Sequence, residues 1–123
     1  MNIYELVNEV MSKVNTVKLI NSPIQSNYIT KNANGDTEYC KSVYVLVDEY
    51  GKRDTNAGVY YGETASGKII IRPIGFPHLH PDKQVKTILV DNNINGAKQI
   101  VKAAYAYVFE NIRYEMNNLW YWT

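Results

Sequence analysis

Both histidines of the chain fall in one short segment, Gly75-Phe76-Pro77-His78-Leu79-His80-Pro81-Asp82. Imidazole nitrogens and carboxylates are ligands for transition metals, and His78, His80 and Asp82 stand two residues apart in turn. Alternate residues share a side only in an extended backbone, which the flanking prolines favour. A zinc site takes three or four ligands with an oriented outer shell, and beyond this trio the chain offers only scattered carboxylates and the single Cys40. No metal and no cofactor is assigned on that count. The segment reads instead as a proline-braced connection in which Phe76 offers a stacking face and His78 and His80 offer hydrogen bonds to a ligand. The plainer reading is a surface loop between strands.

The arginines are few enough to weigh singly. Arg72 interrupts the run Ile69-Ile70-Ile71 and precedes Pro73. A guanidinium among buried isoleucines needs a carboxylate or a phosphate for its fork, which makes Arg72 the first candidate for anion contact and an internal salt bridge its structural alternative. Arg113 lies on the polar side of a helix near its end, where a cation suits the helix dipole. Arg53 beside Asp54 reads as a solvated turn residue. Asn92 and Asn93 open that same helix, where they can cap the first turn or border an anion held by its free N–H groups. The candidate ligand-binding set is therefore Arg72, Phe76, His78, His80, Asn92, Asn93 and Arg113. No nucleophile, base and orienting acid are grouped by sequence, and neither of the glycine- and lysine-containing segments 62–68 and 95–98 has the spacing of a phosphate-binding loop. The chain is not expected to be an enzyme.

Several elements must position these residues. Ile3, Leu6, Val7, Val10, Met11 and Val14 have helical spacing opposite Glu5, Asn8, Glu9 and Lys13. Asn2 and Glu5 stand at capping-box distance, and Asn15 follows as a stop. From 16 to 90 the chain turns to β-branched and aromatic runs. Strands are predicted near 16–20, 27–30, 38–48, 58–63, 68–74 and 84–90, with Pro23 breaking the first run. Asn34-Gly35, Tyr50-Gly51-Lys52 and Ser66-Gly67 mark turns, and connections this short favour an antiparallel meander of about five strands. Val43 to Val47 and Ile69 to Ile71 are apolar without alternation, which predicts strands that are central in the sheet or covered on both faces, with a helix on one face and a second protomer on the other as that cover. A long helix is predicted over 94–117. Ile94, Ala97, Val101, Ala104, Val108 and Ile112 form its apolar stripe, widened by Ile100, Tyr105 and Phe109. The predicted architecture is α+β in a single domain, 1–123, with the C-terminal helix packed on the sheet.

Thirteen basic residues against twelve acidic give a net charge of +1, so no global field draws in nucleic acid or an anionic membrane, and any anion must be recognised locally. No apolar run approaches the ~18 residues that span a bilayer. The start of the chain lacks the pattern of a signal peptide, and with one cysteine there is no internal disulfide, so a cytoplasmic setting is expected. Cys40 is expected as a small buried hydrophobe on a strand. Leu119-Trp120-Tyr121-Trp122 is expected either to cap the core or to dock on another subunit, and a homo-oligomer is expected to form through the C-terminal helix and this aromatic tail.

The order of helix, strands and helix matches the double-stranded-RNA-binding domain superficially, but that module starts its last helix with a lysine cluster, and here only Lys98 and Lys102 stand there. His78, His80 and Asp82 resemble the His-x-His-x-Asp of metallo-β-lactamase-like hydrolases, without the histidine that follows the Asp there and in a chain too short for that fold. In size, composition and a helix-flanked antiparallel sheet with an aromatic tail, the chain resembles small phage proteins of the Thoeris anti-defence type, which sequester cyclic nucleotide signals as multimers. The resemblance implies ligands bound without chemistry in pockets between protomers. The leading expectation is thus a non-enzymatic homo-oligomer that holds a small phosphorylated or nucleotide ligand. An inhibitor that binds a macromolecular partner is the alternative, followed by a small hydrolase using His78 or His80 and by a nucleic-acid-binding module.

Overall fold

In the computed structural model the described residues are 1–14, 19–24, 29–31, 37–48, 58–74 and 88–122, with side chains described at 1–14, 19–24, 40–48, 58–72 and 88–109. The order is α1 (Ile3–Ser12), β1 (Leu19–Ile24), β2 (Ile29–Lys31), β3 (Thr37–Asp48), β4 (Gly58–Thr64), β5 (Ile69–Ile74), β6 (Ile88–Val90) and α2 (Ile94–Trp122). The architecture is the α+β arrangement the sequence predicts.

α1 starts where Asn2 and Glu5 close the predicted capping box. The Glu5 N–H donates to Asn2 Oδ1 at 2.9 Å, and the Glu5 carboxylate accepts from the Asn2 N–H at 3.4 Å. Its first orphan donors are thereby satisfied. The helix ends at Ser12 with Lys13 as the cap, two residues before the predicted stop at Asn15, which lies outside the described residues.

Every strand pair is antiparallel, in the order β1-β3-β4-β5-β6, with β2 paired to the start of β3. β3, β4 and β5 are interior, which accounts for the unbroken apolar runs of β3 and β5. β4 and β5 are joined by the Ser66-Gly67 turn. Gly67 has φ +88°, a left-handed conformation that glycine adopts at little cost, and its N–H donates to the Thr64 carbonyl at 3.0 Å. Pro23 corrects the sequence reading: it lies within β1, opposite Tyr44, rather than ending it. β1 is an edge strand, and proline is tolerated there because its missing N–H can face away from the ladder.

Both helices pack on one face of the sheet. Ile3 and Val7 of α1 and Ala97, Ile100, Val101, Ala104 and Val108 of α2 meet Leu19, Leu46, Val59, Tyr61, Ile69, Ile71 and Val90 in one apolar cluster. Each large aliphatic side chain buried in this way contributes about 1.5–3 kcal/mol. The predicted stripe of α2 is right at its centre and wrong at its edges. Ile100 is fully buried within it, whereas Ile94 and Phe109 are exposed. Cys40 is also less buried than expected, being half-covered on β3. Neither helix has an apolar stretch long enough to cross a membrane among the described residues.

Candidate functional site

Successive residues of a strand point to opposite faces, so the buried cluster fixes the identity of the face turned away from the helices. Cross-strand registers place Ser22, Val45, Tyr60 and Arg72 in one row across β1, β3, β4 and β5 on that far face. The next row holds Ile24, Val43, Gly62, Ile70 and Leu89. Val43 and Ile70 are buried, Val45 and Tyr60 are half-buried, and Ile20, Leu89 and Arg72 are exposed.

This arrangement corrects the premise on which Arg72 was singled out. Ile69 and Ile71 point to the helices, while Arg72 shares the far face with Ile70 and lies at the surface. Its side chain is therefore at the surface rather than embedded among isoleucines. What the register adds is an aromatic neighbour: Tyr60 lies directly opposite Arg72. Directly opposed residues have their Cβ atoms about 5 Å apart, close enough for one ligand to meet a ring face and a guanidinium fork together. On the same side of β4, Gly58 and Gly62 flank Tyr60, so no side chain rises beside it along its own strand. At Gly62 the backbone requires this. A Cβ there would lie 2.5 Å from the Ser42 carbonyl, where β3 shifts register between Cys40 and Ser42.

Asn92 and Asn93 sit elsewhere, at the start of α2. Asn93 Oδ1 accepts from the Gly96 N–H at 3.1 Å, and the Asn93 carbonyl accepts from the Ala97 N–H at 3.0 Å. Asn93 is therefore the N-cap of α2, the plainer of its two predicted roles. Asn92 donates its amide to Glu63, which also meets Lys41 at 3.6 Å, and Lys68 meets Asp91 at 3.3 Å. Such exposed pairs contribute about 0–1 kcal/mol each and serve mainly to tie the β4–β5 turn to the helix start. Glu63 is on the helix-bearing side of β4, so Asn92 and Asn93 do not converge with Arg72. Phe76, His78 and His80 lie outside the described residues, as does Asp82, and the Arg113 side chain is likewise outside them. No group of three metal-ligating side chains gathers among the described residues.

Sequence reasoning missed a polar and aromatic cluster under α1. Tyr44 stacks against Tyr4 with ring centroids 4.9 Å apart and lies 5.2 Å from Tyr61. Asn21 joins them. Its amide donates to the Tyr4 carbonyl at 3.4 Å and to Asn8 Oδ1 at 3.0 Å, its side-chain oxygen accepts from the Tyr61 hydroxyl, and its backbone carbonyl accepts from the Tyr4 hydroxyl at 3.3 Å. Tyr61 is fully buried, and desolvation pushes its phenol well above the usual tyrosine range. The Asn21 hydrogen bond opposes that rise, and the neighbouring Tyr44 and Tyr4 phenols add to it. Tyr61 is thus a fixed hydrogen-bond donor that anchors α1, rather than an acid or base. Tyr60-Tyr61 was the signal available in the sequence, since alternation must send two adjacent tyrosines to opposite faces.

No protein-family model matches the sequence, and no curated protein or solved structure matches it.

Proposed function

We propose that the chain is a non-enzymatic binding protein that sequesters a small phosphorylated or nucleotide ligand as a homo-oligomer, in the manner of the phage anti-defence proteins it resembles. The supporting observation is the exposed Arg72 in register with Tyr60 on the far face of the sheet. A planar base can stack on a tyrosine ring, and a guanidinium fork matches phosphate oxygens in a bidentate geometry. The near-zero net charge makes such a local cation the means of recognition. Asn92 and Asn93 drop to structural roles in this reading.

Calorimetric titration of the full chain with adenosine monophosphate, a cyclic mononucleotide, a cyclic dinucleotide and ribose 5-phosphate tests it. At least one nucleotide is expected to bind and to be recovered unchanged by chromatography, and Arg72→Ala and Tyr60→Ala are each expected to weaken binding about tenfold or more. Wild-type affinity in both variants would overturn the site, and chemical turnover of the nucleotide would overturn the non-enzymatic role. Exposed Ile20 and Leu89 on the same face favour a second reading, an inhibitor that docks a macromolecular partner there. No response to any nucleotide, with stoichiometric binding of a purified defence protein lost in Leu89→Lys, would select that reading.

A further inference from the structure

Asn95-Gly96 stands in the first turn of α2, with the Asn95 side chain exposed to water. In an asparaginyl-glycyl pair the glycine nitrogen can attack the side-chain amide that precedes it, because no Cβ screens the approach. The glycine N–H gives up its proton as its nitrogen bonds to Asn95 Cγ, the bond from Cγ to the side-chain nitrogen breaks, and ammonia leaves with that proton. Water then opens the cyclic imide at either carbonyl, leaving an aspartyl or an isoaspartyl residue. The fold cannot avoid this glycine. A Cβ at position 96 would collide with the Asp91 carbonyl oxygen, so the turn from β6 into α2 demands the residue that makes Asn95 labile. The folded backbone opposes the reaction at the same place. The Gly96 N–H donates to Asn93 Oδ1 at 3.1 Å, and the next N–H, of Ala97, donates to the Asn93 carbonyl at 3.0 Å. Ring closure needs the Gly96 nitrogen eclipsed with Asn95 Cβ, and helical backbone angles hold the two apart. The segment leading into the turn is tied down as well, by Asn92 to Glu63 and by Asp91 to Lys68.

We propose that Asn95 is a latent deamidation site that the Asn93 cap keeps closed, so that the chain loses this amide when the first turn of α2 opens locally. A helix end opens at a lower free energy than the core it is attached to, so the step does not wait for global unfolding. The product differs from the parent chain in charge and in backbone. One new carboxylate cancels the net charge of +1. In the isoaspartyl form the main chain also gains a methylene, which disturbs the intrahelical hydrogen bonds that span it and loosens the start of α2. The inference is independent of the ligand and of the oligomer proposed above.

Ageing of the full chain at mildly alkaline pH tests it, with residue 95 followed by peptide mass spectrometry. In the native wild type, Asn95 is expected to convert about tenfold or more slowly than in the same chain unfolded in urea. Asn93→Ala removes the acceptor of the Gly96 N–H and is expected to speed native conversion about fivefold or more. Asn93→Ser keeps an oxygen at the cap and is expected to convert within about twofold of the wild-type rate. Val7→Ala loosens the core without touching the cap, and it too is expected to stay within about twofold. Native wild type that converts as fast as the unfolded chain would overturn the proposal, as would an Asn93→Ala rate equal to that of the wild type. Equal acceleration by Val7→Ala and Asn93→Ala would place the step in globally unfolded chains and also overturn it.

Discussion

Tyr60 and Tyr61 are consecutive residues of the same strand in opposite environments. Tyr61 enters the face covered by α1 and α2, loses all contact with solvent and gives its hydroxyl to Asn21. Tyr60 rises on the far face between two glycines, half-buried, with Arg72 opposite. The same side chain is a structural peg on one side and a candidate binding surface on the other. Residue type alone carries neither role, and the side of the sheet decides it.

Substitutions on the two faces should separate stability from binding. The largest effect is expected for Leu46→Ala, whose side chain is fully buried under the helices. A loss of about 2–5 kcal/mol by urea denaturation is expected there, and a loss below about 1 kcal/mol would mean that the helix-bearing face is not the main core. Tyr61→Phe removes a donor and leaves the half-buried Asn21 amide oxygen short of its partner, which should cost about 0.5–1.5 kcal/mol. The same phenol predicts a dependence on alkaline pH. Its folded value lies above the unfolded value of about 10, so its contribution is complete below pH 10 and falls as pH rises further, because the unfolded chain then releases a proton that the folded chain keeps. The stability gap between wild type and Tyr61→Phe should therefore narrow above pH 10, and parallel curves would show that the phenol ionises freely in the fold. Arg72→Ala should be the mildest, within about 0.5 kcal/mol, while nucleotide affinity falls. A large loss of stability from Arg72→Ala would erase the contrast between the faces.

The elements most legible in the sequence were those whose signals are local. The Asn2–Glu5 capping box, the α1 stripe, the Ser66-Gly67 turn and the apolar runs of β3 and β5 all depend on a few neighbouring residues. The place of Pro23 depends on strand order: within β1, at an edge, its missing N–H can face away from the ladder. The surroundings of Arg72 depend on register in the same way, since a run of three isoleucines looks buried on every side until each residue is assigned a face. Of the Asn21 cluster only the inward turn of one of the adjacent tyrosines, Tyr60 and Tyr61, was signalled by alternation, because the cluster joins residues 4, 8, 21, 44 and 61, whose proximity exists only after the sheet has formed. Of the candidate ligand residues, Arg72 gained a specific neighbour and Asn92 and Asn93 were absorbed into the fold.

Pro23 has a consequence for how the chain behaves in a crowded solution. In an antiparallel pair, alternate residues turn their N–H and C=O groups away from the partner strand, and the proline, having no N–H to give β3, belongs to that outward set together with Leu19 and Asn21. One outward donor is therefore missing, and the Asn21 carbonyl is already taken by the Tyr4 hydroxyl. The β1 edge is a poor template for a further strand, so recruitment into fibrils by growth from this side is disfavoured without any charge being placed there.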